Sequence, residues 1–142
     1  MGYSFAEDEQ LEALRAGVRE FALGEIASRA KDLDDKEEFS YELTKKMGEL
    51  GLFGTIVSEK YGGQGMDYLS YIVCVEELAR VDSSQAATIA AHNSLGAAPI
   101  YYFGSEEQKQ DFLPNLCTGE GLWAFGLTES GAGSDAQASQ TT

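Results

Sequence analysis

The sequence predicts a mostly α-helical chain. A helical domain covers residues 1–120, and the opening strand and loop of a truncated β region occupy 121–142. Apolar residues recur every three or four positions through most of the chain. Ser and Asp start signals stand in front of those runs. After Gly121 the pattern changes to a bulky apolar run with little helical spacing. With 43% hydrophobic residues and no low-complexity tract, the 142 residues can build one folded domain with a real core.

The elements follow in order. From about Glu7 to Lys31, Leu11, Leu14, Val18, Phe21, Ala22 and Ile26 form one face of an amphipathic helix. A second helix starts after Ser40, carries Leu43, Met47 and Leu50 on its apolar side, and ends at Gly51 as a C′ residue. The stretch from Phe53 to Tyr68 is irregular. Within it, Tyr61-Gly62-Gly63-Gln64-Gly65 reads as a tight loop, since no Lys-Ser/Thr follows to make a phosphate cradle. Asp67 caps a third helix with Leu69, Ile72, Val73 and Leu78 buried and Glu76, Glu77 and Arg80 in water.

Asp82-Ser83-Ser84 caps a fourth helix, from Gln85 to about Leu95. Its small side chains nearly all round suggest close approach by neighbours or by a ligand. Pro99 suits the first turn of a short helix through Phe103. Ser105 and Gln108 form a capping box, and Glu106 and Glu107 complement the helix N-terminus. Beyond Leu113-Pro114 and the turn at 118–121, Leu122 to Thr128 reads as a strand. A lone strand cannot satisfy its own backbone, so the β region is expected to be truncated.

Charge and cysteine usage narrow the function. With 24 acidic and 10 basic residues the formal charge is −14, which argues against nucleic acid and anionic membrane as partners. Cys74 and Cys117 are far apart in apolar settings and His92 is the chain's single histidine, so a zinc site is not expected. Both thiols read as buried and free, as in a reducing compartment. The acidic N-terminus lacks a secretory pattern, and no apolar run reaches the ~18 residues of a membrane span. The chain is expected to be soluble and cytoplasmic. His92, beside Asn93 and Ser94 and without a paired carboxylate or nucleophile, reads as a hydrogen-bonded structural residue.

The chemistry concentrates where the predicted strand ends. Thr128-Glu129-Ser130-Gly131-Ala132-Gly133-Ser134-Asp135 combines hydroxyls, glycines and carboxylates. Such a turn cradles ligands, because glycines admit close backbone approach and free N–H groups and hydroxyls bind anionic oxygens. Gly131–Ala136 also fits the GxGxxG/A turn of nicotinamide-binding folds. That fingerprint needs a following helix, a second strand and an acidic residue ~20 positions later.

An ordered series of motifs runs along nearly the whole chain. It comprises Gly51-Leu52-Phe53-Gly54, Tyr61-Gly62-Gly63-Gln64-Gly65-Met66-Asp67, Glu76-Glu77-Leu78-Ala79-Arg80-Val81-Asp82, His92-Asn93-Ser94-Leu95-Gly96, Gly104-Ser105-Glu106-Glu107-Gln108-Lys109 and Leu113-Pro114. With the Thr128–Asp135 loop, this order and spacing resembles the N-terminal helical domain of acyl-CoA dehydrogenases and the start of their middle β domain.

The resemblance implies an FAD enzyme of fatty acid metabolism that oxidises an acyl-CoA to the trans-2-enoyl-CoA. A carboxylate removes the α-proton, the β-hydride goes to flavin N5, and electrons leave to an electron-transferring flavoprotein. It implies a parent homotetramer of helical, β and helical domains. For cofactor binding it implies Thr128 at the flavin N1/O2 edge, Phe125 and Leu127 along the isoalloxazine, Gly133 permitting close approach, and Ser134 reaching both FAD and CoA. Thr88, Ala91 and Leu95 fall where the family's acyl chain enters.

Ser130 departs from the family's common proline, which should free φ in that turn, and Phe125 stands where some members carry Tyr. No catalytic residue is expected here. The family's base comes from its C-terminal domain, and Glu129 is expected to tie the loop to neighbouring backbone or a basic residue. The chain alone is therefore expected to be inactive and to hold FAD weakly. The alternatives are a non-catalytic helical binding module of the same fold, and an acyl-CoA oxidase or flavin monooxygenase relative.

Overall fold

The computed structural model describes residues 9–141. Helix α1 (Glu9–Phe21) runs through a widened π turn, Ala22–Ile26, into α2 (Ala27–Lys36). Helices α3 (Tyr41–Glu49), α4 (Tyr68–Ala79) and α5 (Ser83–Ala91) follow. A second π turn, His92–Ala97, joins α5 to α6 (Ala98–Phe103), and α7 spans Glu106–Thr118. The expected start near Glu7 lies outside the described residues.

Four side-chain caps set the helix starts. Ser40 accepts from Leu43 N, Asp67 from Ser70 N, Asp82 from Ser84 N, and Ser105 closes its capping box with Gln108. Gly51, at φ 75°, takes the left-handed conformation that ends α3. The first helical run goes beyond Lys31 to Lys36, because Lys31–Asp35 and Lys36–Asp32 support a polar turn that hydrophobic spacing does not reveal. It stops where Glu37 turns left-handed and Glu38 N reaches back to the Leu33 carbonyl at 3.0 Å. The π turn at 92–97 lets one helical path reach Pro99, whose ring would strike the carbonyl four residues back in a regular α-helix.

The core has two parts. Val18, Ala22, Ile26, Leu43, Met47, Leu52, Phe53, Cys74, Leu78, Ala86 and Ile89 form the larger one, where α1, α3, α4 and α5 meet. Val57, Tyr61, Ala97, Leu113, Leu116 and Cys117 form the second, under α7. Phe53 and His92 join them edge to face at 4.9 Å. Both cysteines are buried and free, and burial pushes each thiol up to about 11. The 55–66 stretch folds back on itself, with Gly65 N bonded to Val57 O at 2.8 Å. A Cβ on Gly63 would stand 2.0 Å from that carbonyl oxygen, so only glycine fits this tight loop.

Three expectations need correction. On α4 the buried stripe is Val73, Cys74, Glu77 and Leu78, while Ile72 is 56% exposed. The register is one residue off the apolar reading because Glu77 faces inward to meet two arginines. Arg15 and Arg19 of α1 bond its carboxylate at 2.7–2.9 Å, and its side chain is fully buried. Leu50, expected in the apolar set, is 51% exposed because it caps α3 rather than continuing it. Finally, 122–128 forms no strand. Among the described residues no second strand lies beside it, and the single bridge, Glu129 with Ala132, closes a local turn. No described helix is long and apolar enough to cross a membrane.

Candidate functional site

Trp123 ties the segment after α7 to the helical body. Trp123 N–H donates to His92 Nδ1 at 3.3 Å, and His92 Nε2 lies 2.9 Å from the Leu116 carbonyl. A backbone N–H only donates, so Nδ1 is the acceptor and the proton resides on Nε2. The imidazole is therefore neutral. Burial pushes its pKa down, against the smaller upward pull of the Leu116 carbonyl. Gly96, one turn on from His92, allows the approach: a Cβ there would stand 2.9 Å from Trp123 Cβ and 3.1 Å from its carbonyl oxygen. Phe112 of α7 closes the other side, with ring centroids 5.3 Å apart.

Among the described residues, Ala124 to Thr128 make no hydrogen bond until the turn begins at Glu129. Phe125 and Leu127 are 52% and 42% exposed. Unpaired N–H groups flanked by exposed apolar side chains are what an edge that takes a partner presents.

The loop that follows is held shut. Glu129 N bonds Ala132 O at 3.0 Å and Ala132 N returns to Glu129 O at 3.2 Å, with the Ala132 side chain buried. The Glu129 carboxylate accepts from Gln140 N at 2.9 Å and Thr141 N at 3.0 Å. Bonds from Thr141 and Gln140 hold its carboxyl below the usual carboxylate range. Glu129 thus ties the loop to neighbouring backbone, as expected. Gly133 has open space where a Cβ would be, and the Thr128 and Ser134 hydroxyls have no partner among the described residues.

Phe125, Leu127, Thr128, Gly133 and Ser134 are each exposed and lie within residues 125–134, a stretch interrupted by the buried Ala132. Ala91 and Leu95 are exposed on α5 and its π turn, and Leu95 adjoins the glycine under Trp123. Thr88 lies about 12 Å back along the helix. Its hydroxyl donates to Ser84 O at 2.9 Å, and it lines a separate cleft against α2.

As a donor set, the segment offers hydroxyls and backbone N–H groups beside flat apolar side chains. Between 122 and 134 it contains no cationic side chain. That chemistry suits the polar edge and face of an uncharged ring system better than a phosphate. Among the described residues no cluster of His, Cys, Asp and Glu could hold a metal. Sequence reasoning missed the role of Trp123 and Gly96 as the anchor. The available signal was Gly96 in an otherwise helical run.

Residues 8–120 match the family model described as acyl-CoA dehydrogenase, N-terminal domain. An acyl-CoA dehydrogenase of Bacillus subtilis is 46% identical over 129 residues, which is 91% of this chain and 34% of that protein. The butyryl-CoA dehydrogenase structure from Megasphaera elsdenii superposes with a TM-score of 0.89 at 40% identity, covering 97% of this chain and 37% of the other. An acyl-CoA dehydrogenase from Bacillus anthracis, solved with FAD, superposes at 0.86 with 39% identity, covering 94% and 23%. The chain thus spans about a third or less of each of these relatives.

Proposed function

The chain belongs to the acyl-CoA dehydrogenase family, and from that membership we propose that it supplies the N-terminal part of an FAD-dependent oxidation of acyl-CoA to trans-2-enoyl-CoA. In this reading residues 1–120 are the helical domain and 121–142 begin the middle β domain. The observation that carries the proposal is the unpartnered run Ala124–Thr128, set against the π turn by His92 and Trp123.

FAD, when bound, supplies the acceptor for the substrate's β-hydride. The residues here would hold and orient it. Thr128 would donate to the flavin N1/O2 edge, where a charge-assisted hydrogen bond contributes about 1.5–3 kcal/mol. Phe125 and Leu127 would cover the isoalloxazine and exclude water. Gly133 would admit the cofactor closely, and Ser134 would reach FAD and the CoA thioester. Ala91 and Leu95 would line the acyl path, with Leu95 nearest the flavin-facing segment, and Thr88 would lie deeper along the same helix, where it borders the cleft against α2.

The α-proton base is proposed to lie outside these residues. Glu129, the carboxylate beside the segment, spends both oxygens on the 140–141 backbone. The chain by itself is therefore proposed to be inactive and to hold FAD weakly. We also propose an electron-transferring flavoprotein as acceptor, a homotetrameric parent and a cytoplasmic location.

Trp123, the chain's single tryptophan, provides the test. FAD titrated into the chain should quench its fluorescence weakly and saturably, and Thr128→Ala should reduce the quench. Anaerobic acyl-CoA should leave that flavin oxidised. Bleaching by the chain alone would overturn the placement of the base. Absence of any quench would favour the non-catalytic binding module.

A further inference from the structure

We propose that His92 is a proton-operated latch: protonation at Nδ1 releases Trp123 and the adjoining run to Thr128 while the helices stay folded. The latch follows from donor polarity. Nδ1 accepts the Trp123 N–H at 3.3 Å, so the bond exists only while that nitrogen carries a lone pair. In an imidazolium both nitrogens donate, and two N–H groups would face each other across the same gap. The Nε2 bond to the Leu116 carbonyl, at 2.9 Å, survives the added proton. One event therefore breaks the tie to the segment and keeps the tie to α7.

The ring would also take its charge in a dry place. His92 is 1% exposed, and Phe53 meets it edge to face at 4.9 Å. The elements packed against it bring no compensating carboxylate. Helix α5 and the 52–54 turn carry no ionisable side chain, and α6 has only Tyr101 and Tyr102. On α7, Glu106, Glu107 and Asp111 are exposed and Lys109 is partly buried, all in the half of the helix away from Leu116. Burial keeps the neighbouring Cys117 thiol neutral, and Glu120, in the turn leading to Trp123, is exposed. Burial accordingly pushes the imidazole pKa down. The latch is closed at neutral pH and opens in acid.

Release is the cheaper way to bring water to the charged ring. Leu122, Trp123 and Phe125 are already 40%, 38% and 52% exposed. Letting go costs the Phe112 ring contact and the close approach to Gly96. Unfolding would cost both parts of the core, so the local opening has the lower free energy. That this opening governs flavin contact rests on the function proposed above. The latch itself is read on Trp123 without flavin, so the two can fail separately.

His92 and Trp123 are the chain's single histidine and single tryptophan, so each reports alone. The test is a titration of the 142-residue chain from about pH 8 to about pH 4, spanning the ordinary imidazole value. NMR follows the His92 ring and the exchange protection of the Trp123, α4 and α5 amides, and fluorescence follows Trp123. As the ring titrates, Trp123 amide protection should fall about tenfold and its emission should move to longer wavelength, with α4 and α5 unchanged. His92→Gln keeps an acceptor oxygen and an N–H donor but does not titrate, and should hold Trp123 throughout. If that variant does not fold, coincidence of the His92 and Trp123 midpoints in the wild type decides. A Trp123 amide still protected after the ring is protonated, or a release at a different midpoint, would overturn the latch. So would a release that persists in folded His92→Gln, or one that comes only with exchange of α4 and α5.

Discussion

His92 and Trp123 are joined by a hydrogen bond from the Trp123 backbone N–H to the imidazole Nδ1, 3.3 Å long and 31 residues apart in sequence. This bond and the Leu116 contact make one neutral ring the link between α5, α7 and the exposed segment. His92→Phe, which keeps an aromatic body against Phe53, leaves the Leu116 carbonyl and the Trp123 N–H without their partner. The expected loss is about 1–3 kcal/mol in urea unfolding, with Trp123 emission shifted toward that of exposed tryptophan.

The same residue gives a pH dependence. Burial lowers the folded pKa of His92 below the ordinary imidazole value. Between those two values the unfolded chain holds a proton that the folded chain lacks, so stability rises with pH there. As pH falls below about 6.5, the contribution of neutral His92 is lost, until the folded pKa is passed. Urea midpoints measured across this window should slope upward with pH in the wild type and flatten in His92→Phe.

Gly96→Ala places a methyl group against the Trp123 backbone, where the nearest atoms would be 2.9 and 3.1 Å away. The segment must shift. Trp123 emission and FAD-dependent quenching should change more than the unfolding midpoint does. Equal effects on both would mean that Gly96 serves packing alone.

Glu77→Gln removes the charge that Arg15 and Arg19 share. Hydrogen bonds from Arg19, then Arg15, hold the Glu77 carboxyl below its usual range. Its contribution is thus present above the unfolded carboxylate value and lost as pH falls through the folded one. Both arginines reach water at their edges, which limits the penalty, and a fall in Tm of about 5–10 °C is expected. Thermal unfolding at neutral pH checks this, and the gap should narrow in acid.

Glu129→Ala frees the Gln140 and Thr141 amides. Their hydrogen exchange should accelerate while exchange in α4 and α5 stays unchanged. Glu129→Gln, which retains an acceptor oxygen, should restore part of the protection. Unchanged exchange at 140 and 141 in Glu129→Ala would mean that the carboxylate does not hold the loop.

What was legible in the sequence was local. The caps at Ser40, Asp67, Asp82 and Ser105 and the left-handed Gly51 depend on neighbours within a few residues, and each has the role its sequence context gives it. Glu77 was not legible, because a carboxylate in a helical pattern reads as solvent-facing and its partners lie 58 and 62 residues away. The 122–128 run has the composition of a strand, but pairing belongs to a neighbour, and none lies among the described residues. The loop's hydroxyls and glycines stood out as a motif. The His92–Trp123 bond and the Gly96 contact that position them are tertiary facts.

In the proposed function, the segment from Phe125 to Ser134 faces a flavin in an acyl-CoA dehydrogenase. The most direct measurement is the anaerobic visible spectrum of the native protein carrying this sequence, purified from its cells, before and after a saturated acyl-CoA series. The expected result is an oxidised flavin that one or more acyl-CoA thioesters bleach. A colourless protein, or a flavin that every acyl-CoA leaves oxidised, would contradict it.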